Sequence, residues 1–343
     1  MTRMARLITC ARLWACMLAL ALFFVVAPYA GAQQRNSDST VNPTASSVTE
    51  EQLLREFNRI QGRGTIPDTK SYTIEQPAGR DWRHFHEVTL RWIGAISILG
   101  MLVVLVGFYL VRGMVRLESG RSGRVLVRFT QLERLLHWMT ATCFIVLAIS
   151  GLNMTFGKPL LLPWMGPEAF TTWSQWAKYA HNYLSFPFTL GVVIIFLIWI
   201  PWNMPSKVDV QWLKEGGGIV GHRHPPAGRF NAGQKLVYWL QILAGGALAL
   251  TGYLLMFPFY GTNIANMQLA EIFHGVTAVL FIAIMLGHIY IGTIGMEGAF
   301  EGMWDGTVDA NWAREHHSLW LEQEASKGHV AAPPAPGTMQ AAE

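Results

Sequence analysis

The sequence predicts an all-α integral membrane protein in which four spanning helices form one bundle, a fifth precedes them, and a cleaved signal peptide opens the chain. Three observations carry this expectation. Apolar residues make up 51% of the 343 and charged residues only 14%, too few charges to cover the surface of a soluble protein of this length. Five apolar runs each approach the ~20 residues that an α-helix needs to cross the hydrocarbon of a bilayer. Lys and Arg collect in alternate loops between those runs, the asymmetry that sets orientation in a membrane. The formal charge of +4 forms no single basic patch, so membrane lipid is the expected environment and nucleic acid is not an expected partner.

Taken in order, residues 1–32 read as the signal peptide. Arg3, Arg6 and Arg12 flank the start of an apolar stretch from Leu13 to Val26, and Ala30-Gly31-Ala32 offers a small-residue cleavage site before Gln33. An uncleaved anchor helix is the alternative. Residues 33–87 are polar and read as a periplasmic extension without recognisable chemistry, with room for an amphipathic helix over 49–61 capped by Thr49. The additional span is 88–111. The four-helix unit covers 112–320, with spans at Leu135–Phe156, Ala180–Ile200, Leu236–Phe257 and Ile272–Gly295. The 112–134 loop carries Arg112, Arg116, Arg121, Arg124, Arg128 and Arg134, and the 201–235 loop carries Lys207, Lys214, Arg223, Arg229 and Lys235. The 258–271 loop has neither Lys nor Arg. Basic loops belong in the cytoplasm, which places residue 33 in the periplasm, the spans in a bacterial inner membrane and the C-terminus in the cytoplasm. Residues 321–343 are expected to form a disordered cytoplasmic tail.

Cys10 and Cys16 lie in the signal segment, which leaves Cys143 alone. One thiol forms no intrachain disulfide, holds no iron–sulfur cluster and contains no C-x-x-C-H site for covalent haem. A metal centre therefore has to rest on histidine. Of eleven histidines, His137, His181, His274 and His288 fall within spans. An ionisable side chain in a membrane is costly enough to suggest a function, although a single one is more often a hydrogen-bonded packing residue. Four in this arrangement support more. His274 and His288 are fourteen residues apart on one helix, about 21 Å along its axis and within roughly 40° of the same face. In the expected orientation His274 and His181 lie at the outer depth, and His137 and His288 at the inner depth. Two facing pairs follow, His181 with His274 and His137 with His288. Facing imidazoles are the axial ligands of a six-coordinate haem b, a state suited to electron transfer because no substrate reaches the iron. Zinc or copper would recruit a third or fourth ligand, and a histidine proton relay would not need matched pairs. Gly151, Gly245, Gly246, Gly252, Gly275 and Gly287 leave room for porphyrin, though small residues are also ordinary in membrane helices. His84 and His86 are expected at the outer interface, and His222, His224, His316 and His317 in solvent.

A second feature precedes the fourth bundle helix, from Arg229 to Lys235. A quinone headgroup needs donors for its carbonyls beside an apolar slot for its tail. Asn231, Gln234 and the backbone N–H groups around Gly233 supply such donors at the inner depth. A helix start with Asn231 as N-cap is the alternative reading.

The segments Leu136-His137-Trp138, Phe230 to Lys235, Phe273-His274-Gly275, Gly287 to Tyr290 and Trp312 to His317 together resemble the gamma subunit (cytochrome b556) of membrane-bound formate dehydrogenases. The resemblance runs from about Arg128 to Trp320. It implies four helices, two haem b groups on the same histidine pairs that depth selects, and a quinone pocket lined by Asn231 and Gly233 beside His288. It also implies an iron–sulfur beta subunit and a molybdenum or tungsten alpha subunit as partners. Formate would be oxidised there, and this electron-transfer subunit would hold no formate-oxidising site of its own. The quinone would be menaquinone or ubiquinone. The b-type cytochrome of a membrane-bound nickel–iron hydrogenase is the nearest alternative. A bc1-type cytochrome, with two ligands on each of two helices, fits less well. A transporter or sensor with titrating histidines would show no haem absorbance. The signal peptide, the extension and the additional span depart from the resemblance.

Overall fold

The computed structural model describes residues 79–327 apart from 219–223 and 259. The expected signal peptide at 1–32, residues 33–78 of the extension with their 49–61 helix, His222 and the tail at 328–343 lie outside the described residues.

Five helices are long and apolar enough to cross a membrane among the described residues. The first, α1, runs Gly79–Arg112 and passes through a π-helical turn at Phe85–Thr89. The helix thus begins before the span expected from residue 88, since 79–87 is helical. The polar start of α1 finds partners there: His86 Nδ1 lies 3.2 Å from Glu271 Oε1. A short strand, β1 (Val125–Val127), precedes α2 (Gln131–Leu160). Thr130 and Glu133 form a reciprocal capping box that opens α2. The next helix, α3, covers Leu162–Trp202, with a break at Gly166, whose φ of 75° only glycine adopts without strain. The expected loop over 157–179 is largely helical. Glu168, Gln175 and Lys178 interrupt its apolar pattern, so it does not read as a span, yet it continues the helix beyond the apolar run. The short α4 (Lys207–Lys214) leads to α5 (Ala232–Met256), and α6 follows over Ile264–Gly295. Then come α7 (Ala299–Trp304), β2 (Thr307–Asp309), α8 (Ala310–His316) and α9 (Ser318–Ser326). The strands β1 and β2 pair antiparallel.

The packing of α2 on α3, α3 on α5 and α5 on α6 makes a four-helix bundle, with α1 outside it against α6. The chain therefore brings the Arg- and Lys-rich loops to one end, called the basic end below, and the loops poor in Lys and Arg to the far end.

A cap closes the basic end. Arg128 is 4% exposed, and its Nη2 donates to the Arg229 carbonyl at 2.8 Å and to His317 Nε2 at 3.0 Å. The guanidinium carbon lies 5.2, 5.0 and 5.1 Å from the ring centres of Phe129, Trp312 and Trp320. Beside it Arg229 donates to Glu133 Oε1 at 2.7 Å, and Trp199 Nε1 donates to the same oxygen at 2.8 Å. Helix α9 belongs to this cap, with Trp320 and Leu321 buried and Leu319 N donating to the Ala227 carbonyl. The expectation of a disordered tail from residue 321 is corrected over 321–326, where an apolar face has a cap to cover.

Candidate cofactor site

The structure brings the four span histidines together in two pairs. His181 on α3 faces His274 on α6 with ring centres 6.2 Å apart, and His137 on α2 faces His288 on α6 at the same 6.2 Å. A metal held between two imidazole nitrogens at about 2 Å from each sets ring centres roughly 6 Å apart. His181 and His274 sit toward the far end, His137 and His288 toward the basic end.

Between the pairs lies an aromatic layer. Phe144, Phe188 and Phe281 each follow a paired histidine by seven residues, so each stands on nearly the same helix face two turns nearer the middle. Their rings meet, with centres 5.1 Å apart for Phe144 and Phe281 and 6.4 Å for Phe144 and Phe188. Phe281, midway between His274 and His288, is 2% exposed. Leu184, Val192 and Met285 complete a core that excludes water between the sites.

At the far-end pair, neighbouring helices fix both imidazoles. Ser150 Oγ lies 2.9 Å from His181 Nδ1 and donates its hydrogen to the Val146 carbonyl at 2.7 Å. Its lone pair is left to accept, so Nδ1 carries the ring proton and Nε2 is free to ligate. Thr251 repeats this on α5: its Oγ1 donates to the Ala247 carbonyl at 2.7 Å and lies 2.9 Å from His274 Nδ1. Each hydroxyl precedes a glycine, and both glycines face the ring edge. A Cβ at Gly151 would stand 3.4 Å from His181 Cε1, and one at Gly252 3.3 Å from His274 Cε1. The repeated hydroxyl–glycine step holds one nitrogen and clears space for the ring. The basic-end pair is built differently. His137 Nδ1 is buried without a hydrogen-bond partner, and its ring stands edge-on to Trp138 at 5.1 Å. Trp138 is pinned to the cap through Nε1, which donates to the Met303 carbonyl at 2.9 Å. A buried imidazole without a hydrogen-bond partner at Nδ1, its ring 6.2 Å from a second imidazole, suits a metal-bearing group better than it suits packing.

Among the described residues no group of three or more His, Cys, Asp or Glu gathers as metal ligands. A metal held at either pair would have only two protein nitrogens, a donor set that would suit a macrocyclic group such as porphyrin.

The structure places Asn231, Gly233 and Gln234 at the start of α5. Asn231 Oδ1 accepts from Gln234 N at 2.9 Å and Gln234 Oε1 accepts from Asn231 N at 3.1 Å, a reciprocal cap. A Cβ at Gly233 would stand 3.1 Å from the buried Trp212 ring of α4. Helix capping is thus one task of Asn231 and Gln234.

Sequence reasoning missed two histidines. His316 and His317, expected in solvent, are buried in the cap at 7% and 0% exposure. His317 donates from Nδ1 to the Gly228 carbonyl at 2.7 Å and accepts from Arg128 at Nε2, which fixes it as neutral. Burial, then the Arg128 charge, pushes its pKa well below the ordinary imidazole value. The neighbouring apolar residues Trp312, Trp320 and Leu321 were the available signal.

A family model described as prokaryotic cytochrome b561 matches residues 128–306. The chain is 30% identical over 202 residues to the formate dehydrogenase cytochrome b556(fdo) subunit of Escherichia coli K12, covering 58% of this chain and 92% of that one. It is 27% identical over 208 residues to the nitrate-inducible formate dehydrogenase cytochrome b556(Fdn) subunit of the same organism, covering 59% and 93%. The formate dehydrogenase cytochrome b556 subunit of Haemophilus influenzae is 26% identical over 219 residues, covering 62% and 88%. With five membrane-length helices, two facing imidazole pairs at the ends of one bundle and this match over more than half its length, the chain belongs to the prokaryotic cytochrome b561 family.

Proposed function

We propose that this chain is the di-haem b-type cytochrome subunit of a formate dehydrogenase, anchoring the complex and passing its electrons across the membrane to quinone. The observation that carries the reading is the pair of 6.2 Å imidazole spacings at opposite ends of one bundle. His181 and His274 would hold one haem b, and His137 and His288 the other. Bound there, two iron centres would each exchange one electron at a time without opening a coordination site to substrate. The chain's own residues supply the rest. Ser150 and Thr251 orient the far-end ligands, the phenylalanine layer keeps water from joining the two sites, and the cap holds α2 and α6 at the spacing the basic-end pair needs. In the proposed orientation the basic end is cytoplasmic, as its Arg and Lys content favours. An iron–sulfur subunit would deliver electrons at the periplasmic end from a molybdenum- or tungsten-dependent partner where formate is oxidised. The relatives reported above are formate dehydrogenase cytochromes, so the hydrogenase alternative is not the favoured one.

The ligand assignment is tested most directly by the hydroxyls. Ser150→Ala and Thr251→Ala remove one hydrogen bond from His181 and from His274. Such outer partners are worth about 10–100-fold in metal affinity. Each variant should lose one haem faster than the other when challenged with a haem-scavenging apoprotein, and equal loss rates would count against the pairing.

Quinone reduction consumes two electrons and two protons per molecule, and the proposed pocket lies at the basic end near the α5 start. Asn231 both caps the helix and offers an amide donor, and the two roles are separable. Asn231→Asp keeps an oxygen for Gln234 N, since Asp caps as well as Asn, but loses the Nδ2 donor. The expected result is unchanged thermal stability and haem content with slower reoxidation of the reduced cytochrome by quinone. Unchanged reoxidation would remove Asn231 from the pocket.

A further inference from the structure

The span outside the family match, α1, has a defined task in the fold. Most of its surface is apolar and open to lipid: Leu99, Val103 and Val111 are 60%, 71% and 91% exposed. One stripe is different. Leu90 is 2% exposed, and a Cβ at Gly275 would stand 2.7 Å from its Cδ2, so the leucine occupies the notch left by the residue that follows His274. One turn deeper, Gly94 lies beneath Phe156 and Val279, with a Cβ there 3.0 and 3.1 Å from their side chains. One turn toward the far end, His86 pairs with Glu271 at 3.2 Å. Arg91 Nε adds a bond to the Thr155 carbonyl of α2 at 3.0 Å. On α6 these contacts run from Glu271 to Val279 and so bracket His274. At the basic end the same two helices meet again, with Phe108 and Tyr109 edge-on to Tyr290 at 6.2 and 6.5 Å.

We propose that α1 is a built-in splint for α6, setting the rotation of that helix through Leu90 and Gly275 and thereby the orientation of the far-end imidazole pair. The inference rests on the haem assignment for His181 and His274. Its physical basis is tolerance. The His274 Nδ1 to Thr251 bond of 2.9 Å weakens with displacements of a few tenths of an ångström, and a ligand constellation needs its supports held within about 0.5 Å. Without α1, the side of α6 that carries Gly275 would face lipid, which offers no fixed contact against rolling. Leu90 is therefore a positioning residue acting through α6.

The test uses the full chain with haem bound. Low-spin ferric haem with two imidazole ligands gives an electron paramagnetic resonance signal that depends on the angle between the ring planes. His181→Ala first identifies the far-end signal as the one it removes. Leu90→Ala should then shift that signal and the midpoint potential of the same haem, leaving the other haem unmoved. Leu90→Met should restore both. Gly275→Ala, crowding the notch from the opposite side, is a second route to the shift, and Leu99→Ala on the lipid face should change nothing. If His181→Ala removes no signal, the haem assignment itself fails. If it removes one, and neither Leu90→Ala nor Gly275→Ala shifts it, or Leu90→Ala shifts both haems equally, the splint is overturned.

Discussion

Replacing His181 by alanine should leave a protein with one haem b per chain in place of two. The expectation follows from the separation of the sites. The far-end pair shares only α6 with the basic-end pair, and the layer of Phe144, Phe188 and Phe281 lies between them. On the proposed assignment, losing one imidazole leaves His274 alone to hold that haem, which should then dissociate. Nothing in the change reaches His137, His288 or the cap. The measurement is a pyridine haemochrome assay of haem per chain with a reduced-minus-oxidised spectrum. Two haems with an unaltered spectrum would break the pairing, and loss of both would mean that the sites are not independent. His137→Ala should give the complementary variant.

Glu133→Ala should be the most destabilising single change at the basic end. Its carboxylate accepts from Thr130 N at 2.8 Å, Thr130 Oγ1 at 3.0 Å, Trp199 Nε1 at 2.8 Å and Arg229 Nη2 at 2.7 Å. It is the only carboxylate among these contacts, and it faces a region containing two guanidiniums. Arg128 donates to one carbonyl oxygen and to His317 and rests on three aromatic faces, while Glu133 pairs with Arg229. The side chains are 17% and 10% exposed, which leaves little solvent to screen the charge that remains. Removing one partner of a buried pair costs about 3–5 kcal/mol, and the α2 cap loses roughly 1 kcal/mol more. Glu133→Gln keeps an acceptor for Trp199 and should fall between wild type and alanine. The check is thermal unfolding of the detergent-solubilised protein followed by tryptophan fluorescence. Equal stability of the three proteins would show that Arg229 has other compensation.

The parts legible in the sequence were those set by local pattern. Length and apolarity marked the five spans, and the depth of each histidine gave the two pairs. Boundaries were legible only where polarity changes abruptly. The α1 start at Gly79 and the helical stretch before His181 were hidden because polar residues there are paired or interfacial, and an apolar run cannot register that. His181 is the instructive case: its immediate neighbours, Ala180 and Asn182, carry little information, while the group that fixes it, Ser150, comes from another helix. The same holds for the cap. His316 and His317 read as part of a polar segment, because their burial depends on Arg128 and Gly228, far away in sequence. At Asn231 the simpler alternative was visible from the start, and the capping box confirms that part of it.

Arg128 and His317 are 189 positions apart, and the chain is made from its N-terminus. While the spans are being inserted, Arg128 has neither Trp312 nor Trp320 to rest on, and it stays hydrated at the basic end, where a charged anchor resists being drawn through the bilayer. Only when residues 312–320 emerge does the cation lose its water to aromatic rings and an imidazole. The cap is thus closed late: Trp312, His317 and Trp320 cover a cation set far earlier in the chain, and a chain cut before Trp312 would keep its five membrane-length helices but not its seal.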